Sequence, residues 1–311
     1  MKFLLDLFKK KKRVEQYDIH QRFDLIGRVG QGSMSKVWRA RDLLSGKTIA
    51  LKVLDRAKTK RFEDRFKGLK KPTEGEVALG LRHPYIVRTH EIGLTVNDEQ
   101  FLIMDFIEGI GLSFLVEVQN EVLQKNRLRF LVQLGEAIRY LHNHNWIHRD
   151  ICPRNVLVDK SSNIKLIDFG LVVPNTPAFQ KPGNRTGTIA YMAPELLKRY
   201  KTDQRLDIFS FAVTAFEAFT KQYPWKTGDT MEQIRHRINT PPIEITDLVE
   251  DIDHEVANTI MRGLAPRPED RWQTIEDILE PLRDASFRIE GHRFDEIAEE
   301  DDDEFDLVQP L

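Results

Sequence analysis

Two short apolar runs, residues 156–158 and 164–167, flank a polar turn, a pattern that predicts a β-hairpin. Asp150 and Asn155 precede the first run, and Asp168 closes the second. Such a hairpin gathers two carboxylates and an amide at one end. That oxygen set suits a hard cation, Mg²⁺ or Mn²⁺, shared with phosphate oxygens of a substrate. A surface turn that happens to contain two aspartates is the competing reading of any one of these residues. Their order argues against it: His148-Arg149-Asp150, then Asn155, then Asp168-Phe169-Gly170, all within one stretch of chain.

Composition narrows the class. The chain has 311 residues, 41% hydrophobic and 31% charged, which is ordinary for a water-exposed globular fold with one bilobal unit or two domains. No apolar run approaches the roughly 18 residues a membrane span needs. A single cysteine, Cys152, excludes an intrachain disulfide and fits a reducing, cytoplasmic setting. The net charge of -2 conceals opposite ends: residues 290–311 carry ten Asp or Glu and one Arg, whereas residues 1–13 carry six basic residues and one acid. Residues 1–19 are therefore expected to be a basic amphipathic extension and residues 289–311 an acidic flexible tail. For the extension two readings stand: a helix or frayed end against the core, or a helix on the inner face of an anionic membrane through residues 1–13.

The triplets around Asp150 and Asp168 resemble the catalytic and metal loops of protein kinases. Further motifs follow in the same order: Gly30-Gln31-Gly32, Val37, Ala50-Leu51-Lys52, Leu81-Arg82-His83-Pro84, Gly187-Thr188 and Ala193-Pro194-Glu195. The resemblance covers residues 22–285 and implies a eukaryotic-type Ser/Thr protein kinase of the kind also found in bacteria. The fold class it implies is α+β: a small β-rich N-lobe with one helix (20–104), a hinge (105–109) and a larger, mainly helical C-lobe (110–288). Periodic apolar residues predict a long helix over 121–144 and further helices over 207–219, 231–238, 253–264 and 274–283.

The resemblance also assigns roles. ATP would lie against Gly30, Gly32, Val37, Ala50, Met104 and Leu157, with the backbone at Asp105 and Ile107 reading the base. Lys52 would contact the phosphates and pair with Glu74, and Asn155 and Asp168 would hold the metal. Asp150 would orient the substrate hydroxyl, and the Thr188 hydroxyl would bond Asp150. Asp207 would brace the catalytic loop, and Arg271 would pair with Glu195. Lys52 lies mid-strand among apolar residues and needs an anionic partner whatever the family. The helix carrying Glu74 looks weak, because Gly75 and Gly80 each cost about 1 kcal/mol relative to Ala.

Three departures stand out. The family's third loop glycine is Ser35. The lysine usually found two residues after the catalytic Asp is Cys152, and Arg154 is expected to replace its charge over the γ-phosphate, as in receptor tyrosine kinases. The usual phospho-acceptor position is Asn184, leaving Thr186 and Thr176, with Thr186 the expected autophosphorylation site. Protein substrates with Ser or Thr are the implied partners, with no nucleic acid; a nucleotide-binding pseudokinase scaffold is the alternative function.

Overall fold

The computed structural model describes residues 16–31, 34–69, 71–182, 185–225, 230–292 and 294. Of the extension expected over residues 1–19, residues 1–15 lie outside the described residues, as does the acidic run 299–306. The chain begins with β1 (Gln16–Tyr17), α1 (Ile19–Arg22), β2 (Phe23–Gln31), β3 (Ser35–Asp42) and β4 (Thr48–Leu54). Then come α2 (Arg56–Glu63), α3 (Glu74–Gly80), β5 (Thr89–Thr95) and β6 (Gln100–Asp105). These strands form one sheet in the order β1-β5-β6-β4-β3-β2, antiparallel except for β1 beside β5. Its apolar face gathers Phe23, Ala40, Ile49, Leu51, Val53, Phe101 and Ile103. β1 and α1 belong to this unit: Arg22 lies over the rings of Tyr17 and Phe23 and pairs with Glu91.

The helical region carries β7 (Gly109–Gly111), α4 (Leu112–Val118), α5 (Glu121–Asn143), β8 (Trp146–Ile147), β9 (Val156–Asp159), β10 (Ile164–Leu166) and β11 (Val173–Pro174). It continues with α6 (Pro194–Leu197), α7 (Arg205–Thr220), α8 (Met231–Asn239), α9 (His254–Gly263) and α10 (Glu276–Glu290). The predicted hairpin is β9–β10, paired with Val158 opposite Ile164. α5 buries Leu123, Leu128, Leu131, Leu134, Ile138 and Leu141, the face its periodicity predicts. α7 is buried nearly all round, as expected of a helix apolar on every side. No helix among the described residues is long and apolar enough to cross a membrane.

The fold is therefore α+β, with a sheet and a helix followed by a mainly helical region, and three local features go beyond the sequence reading. First, α3 is capped reciprocally: the Thr73 hydroxyl accepts from the Glu76 amide, and the Glu76 carboxylate accepts from the Thr73 amide. Gly75 has a packing reason, since a Cβ there would lie 2.9 Å from a methyl of Ile92. Second, α2 is an additional helix, begun by Asp55, whose side chain accepts from the Lys58 amide. Third, α10 runs on to Glu290, whose carboxylate accepts from the amides of Leu128 and Arg129 at 2.8 and 2.9 Å. The first carboxylate of the C-terminal acidic stretch thus serves the fold.

His83 ties the loop after α3 to α5. Its Nδ1 accepts from the Tyr85 amide at 3.2 Å, and its ring lies 5.1 Å from that of Tyr140. Burial, with Arg139, Lys165 and His144 nearby, pushes its pKa down to about 4. An unfolded histidine titrates near 6.5, so between these values the unfolded chain binds more protons. His83 therefore contributes stability above about pH 6.5 that is lost as pH falls towards about 4. Urea unfolding midpoints of the wild type should drop more steeply across that window than those of His83→Asn; parallel curves would refute the assignment.

Candidate active site

The floor of the site rests on Asp207, fully buried in the first turn of α7. Its carboxylate accepts from the amides of His148 and Arg149, each at 2.8 Å, and meets His142 Nε2 at 2.9 Å. Burial opposes its ionisation, but the hydrogen bond and charge of His142 outweigh this and hold its pKa below the usual range. Pinned at two successive amides, the loop turns through Arg149 in a left-handed conformation (φ 70°) and delivers Asp150 to the cleft. The Phe169 ring packs edge-on against His148 at 5.6 Å, which couples the Asp168 loop to the same support.

Asp150 is held from two sides. The Asn155 side-chain amide donates to its carbonyl at 2.8 Å and to its carboxylate at 3.0 Å. The Thr188 backbone amide donates to the other carboxylate oxygen at 2.8 Å. This corrects the expectation that the Thr188 hydroxyl bonds Asp150. That hydroxyl instead accepts from Arg154 at 3.2 Å, because the backbone at Gly187 brings the Thr188 N–H, rather than its side chain, to the carboxylate.

Lys52 joins the sheet to this loop. Its ammonium bonds Glu74 of α3 and, at 2.9 Å, Asp168. Burial disfavours the charge on Lys52, yet the two carboxylates overcome it and raise its pKa. Burial pushes Glu74 up, whereas Asp168 is held down against burial by Lys52 and by the Gly170 amide. Asp168 itself adopts φ 67°, directing its carboxylate into the cleft. Cys152 cannot supply the charge of the missing lysine: burial and Asp150 push its thiol up to about 12, so it stays neutral.

These groups open into one cleft of about 1040 Å³. Gly30, Val37, Ala50 and Lys52 line it from the sheet, and Met104, Asp105 and Ile107 from the connection to the helical region. Leu157, Asn155, Asp168, Asp150, Arg154 and Thr188 line the opposite side. Strand register explains the grouping, since Ala50 pairs with Met104 and Lys52 with Val37. The Asp105 carboxylate meets His90, and its backbone N–H donates to the Arg88 carbonyl at 3.0 Å. Gly32 lies outside the described residues. Sequence reasoning missed Val29, Val87 and Ile167, which add apolar lining, the α2 residues Lys58, Arg61 and Phe62, and Arg65 of the 3₁₀ turn after it.

Among the described residues no three His, Cys, Asp or Glu side chains converge as a metal cage. Asp168 and Asn155 nevertheless fit a phosphate-shared cation. Asn155 uses its NH₂ on Asp150, which leaves its carbonyl oxygen for such an ion beside a carboxylate already ionised by Lys52.

Thr186 is 7% exposed, with its hydroxyl buried and without a hydrogen-bond partner among the described residues. Phosphorylation there requires the segment to open first. Next to it, Gly187 has φ +116°, and a Cβ would lie 2.6 Å from the Arg149 carbonyl oxygen. Gly187→Ala is expected to cost about 1–3 kcal/mol in chemical denaturation, since neither the backbone conformation nor the pinned loop can yield. A variant as stable as wild type would show that this contact does not constrain the loop.

Comparison with known proteins agrees with this geometry. The family model described as "Protein kinase domain" matches residues 23–281. The serine/threonine-protein kinase PrkC of Bacillus subtilis is 26% identical over 283 residues, covering 89% of this chain and 42% of that protein. The serine/threonine-protein kinase PknB of Mycobacterium tuberculosis is 26% identical over 269 residues, covering 84% of this chain and 42% of its own length. This chain thus corresponds to less than half the length of those relatives. With the family model spanning most of the sequence and its motifs assembled around one cleft, the chain belongs to the protein kinase domain family.

Proposed function

We propose that the chain transfers the γ-phosphate of ATP to serine or threonine hydroxyls of protein substrates. The observation that carries this is the pairing of two differently held carboxylates on one cleft: Asp150 between Asn155 and Thr188, and Asp168 on Lys52. The names of the relatives, both serine/threonine kinases, support the choice of acceptor. ATP would enter against the apolar lining around Val37, Ala50, Met104 and Leu157. Lys52 would meet its phosphates. A divalent ion held by Asp168 and Asn155 would neutralise charge on the transferring group.

Asp150 receives the proton of the attacking hydroxyl as its oxygen bonds the γ-phosphorus. The bond from that phosphorus to the bridging oxygen breaks, leaving ADP and a phosphorylated side chain. Arg154, on the 3₁₀ turn Pro153–Asn155, is exposed at the cleft and anchored on Thr188. From there it would supply the positive charge that neutral Cys152 does not.

The test is radiolabel transfer from ATP in the presence of Mg²⁺. Asp150→Asn should lower kcat by about 10²–10⁴ while nucleotide affinity stays near wild type, because Asp150 faces the acceptor rather than the nucleotide. If the wild type binds ATP without transferring phosphate to any protein or peptide, the scaffold reading replaces this one.

A further inference from the structure

The segment 56–66 contributes nothing to the roles above, yet it lines the same cleft. α2 and the turn after it are seated by Phe62 and Phe66, whose rings meet edge to face at 5.4 Å. Both are buried with Ile147 and Val173, and Leu171 and Phe179 pack against the cluster. Phe66 lies 5.8 Å from Phe179. An element of the N-terminal unit is thus fastened to the chain on either side of the Asp150 and Asp168 loops.

Lys58, Arg61 and Arg65 line the cleft beside Phe62. Their spacing of three and four residues puts them on one side of the segment. The acidic residues of the segment, Glu63 and Asp64, do not line it. Arg61 and Arg65 form no ion pair with any described residue. Arg185 and Thr186 also line the cleft. Among the described residues, the Arg185 Nε and the Thr186 hydroxyl are buried without hydrogen-bond partners, out of a ligand's direct reach while the segment stays closed.

The carboxylates of the cleft are already engaged: Asp105 by His90, Asp150 by Asn155 and Thr188, and Asp168 by Lys52. The wall formed by Arg61, Arg65 and Arg185 therefore presents positive charge that the carboxylates of the cleft do not compensate.

We propose that this wall selects protein substrates whose acceptor Ser or Thr is flanked by Asp or Glu, with Arg61 and Arg65 as the specificity-determining residues. The proposal rests on the kinase reading above and deepens it by naming the substrate class. A carboxylate side chain entering the cleft offers Arg61 and Arg65 the acceptors and negative charge they lack. A basic flank would meet like charge, which discriminates against the wrong partner as strongly as attraction favours the right one.

Three labelled peptides with one acceptor, flanked by Glu, Ala or Lys, distinguish the outcomes. Binding is read by fluorescence anisotropy without turnover, and transfer by kcat/KM, on the full chain. The acidic peptide should bind at least about tenfold more tightly than the alanine peptide at low salt, with the advantage shrinking as ionic strength rises. Arg61→Gln/Arg65→Gln should erase that advantage while leaving the alanine peptide unchanged, and Arg61→Lys/Arg65→Lys should restore most of it.

Equal binding of acidic and alanine peptides overturns the proposal. So does a double variant that weakens all three peptides alike, or one that raises KM for ATP and leaves peptide preference intact, which would assign the arginines to the nucleotide. Selective binding of the acidic peptide without transfer would leave the wall standing and count against the kinase reading instead.

Discussion

A buried ammonium is tolerated only where carboxylates meet it, and Lys52 is the ammonium on which this molecule depends. It projects from the sheet, almost entirely buried at the edge of the cleft, and its charge is sustained by Glu74 and Asp168. Those carboxylates belong to a helix and to a loop far away in sequence. The pairing therefore fixes the distance from sheet to helix and from sheet to loop together. For the buried Lys52–Glu74 pair, removing one partner costs about 3–5 kcal/mol, because the other is left desolvated and unmatched. Glu74 and Asp168 are not equivalent in that pairing. Burial pushes Glu74 up, whereas Asp168 stays ionised and opens to the cleft, where a cation and phosphate oxygens would be welcome.

The other side of the cleft is held by an equally economical device. Asp207 bonds two successive amides, and Arg271 grips Glu195 with two parallel bonds of 2.8 and 2.7 Å. Arg271 is wholly buried and also donates to the carbonyls of Ala265, Arg205 and Pro266, so its charge is fully engaged. On this base the chain sustains left-handed backbone at Arg149, Asp168 and Gly187. Strained conformations persist where surrounding structure over-determines them, and here they aim Asp150, Asp168 and the Thr188 amide at one point.

Much of this was legible in the sequence because the site is built from short, fixed offsets. Asp150, Asn155 and Asp168 are placed by a hairpin whose register depends only on neighbouring residues, and Lys52 announces itself as a charge in an apolar strand. The Glu195–Arg271 and Lys52–Glu74 pairs followed from the family pattern and form as expected. The capping box of α3 was also present in Thr73 and Glu76, though its helix looked weak when only glycine cost was weighed. What stayed hidden depends on partners distant in sequence. Phe62 and Phe66 show helical spacing, but nothing local says that they dock on Val173 and Phe179. Likewise, the choice between the hydroxyl and amide of Thr188 is decided by the backbone at Gly187, and the role of Glu290 by the position of α5.

The central claim is that Lys52, Glu74 and Asp168 act as one unit preparing the cleft for phosphoryl transfer. A double-mutant cycle on kcat/KM for ATP, using Lys52→Met, Glu74→Gln and their combination, addresses it directly. If the account holds, each single change lowers kcat/KM by at least about 10²-fold and the double change costs little more than Lys52→Met alone, since Glu74 acts through the ammonium. Losses that simply multiply, or a Lys52→Met protein that transfers phosphate at the wild-type rate, would contradict it.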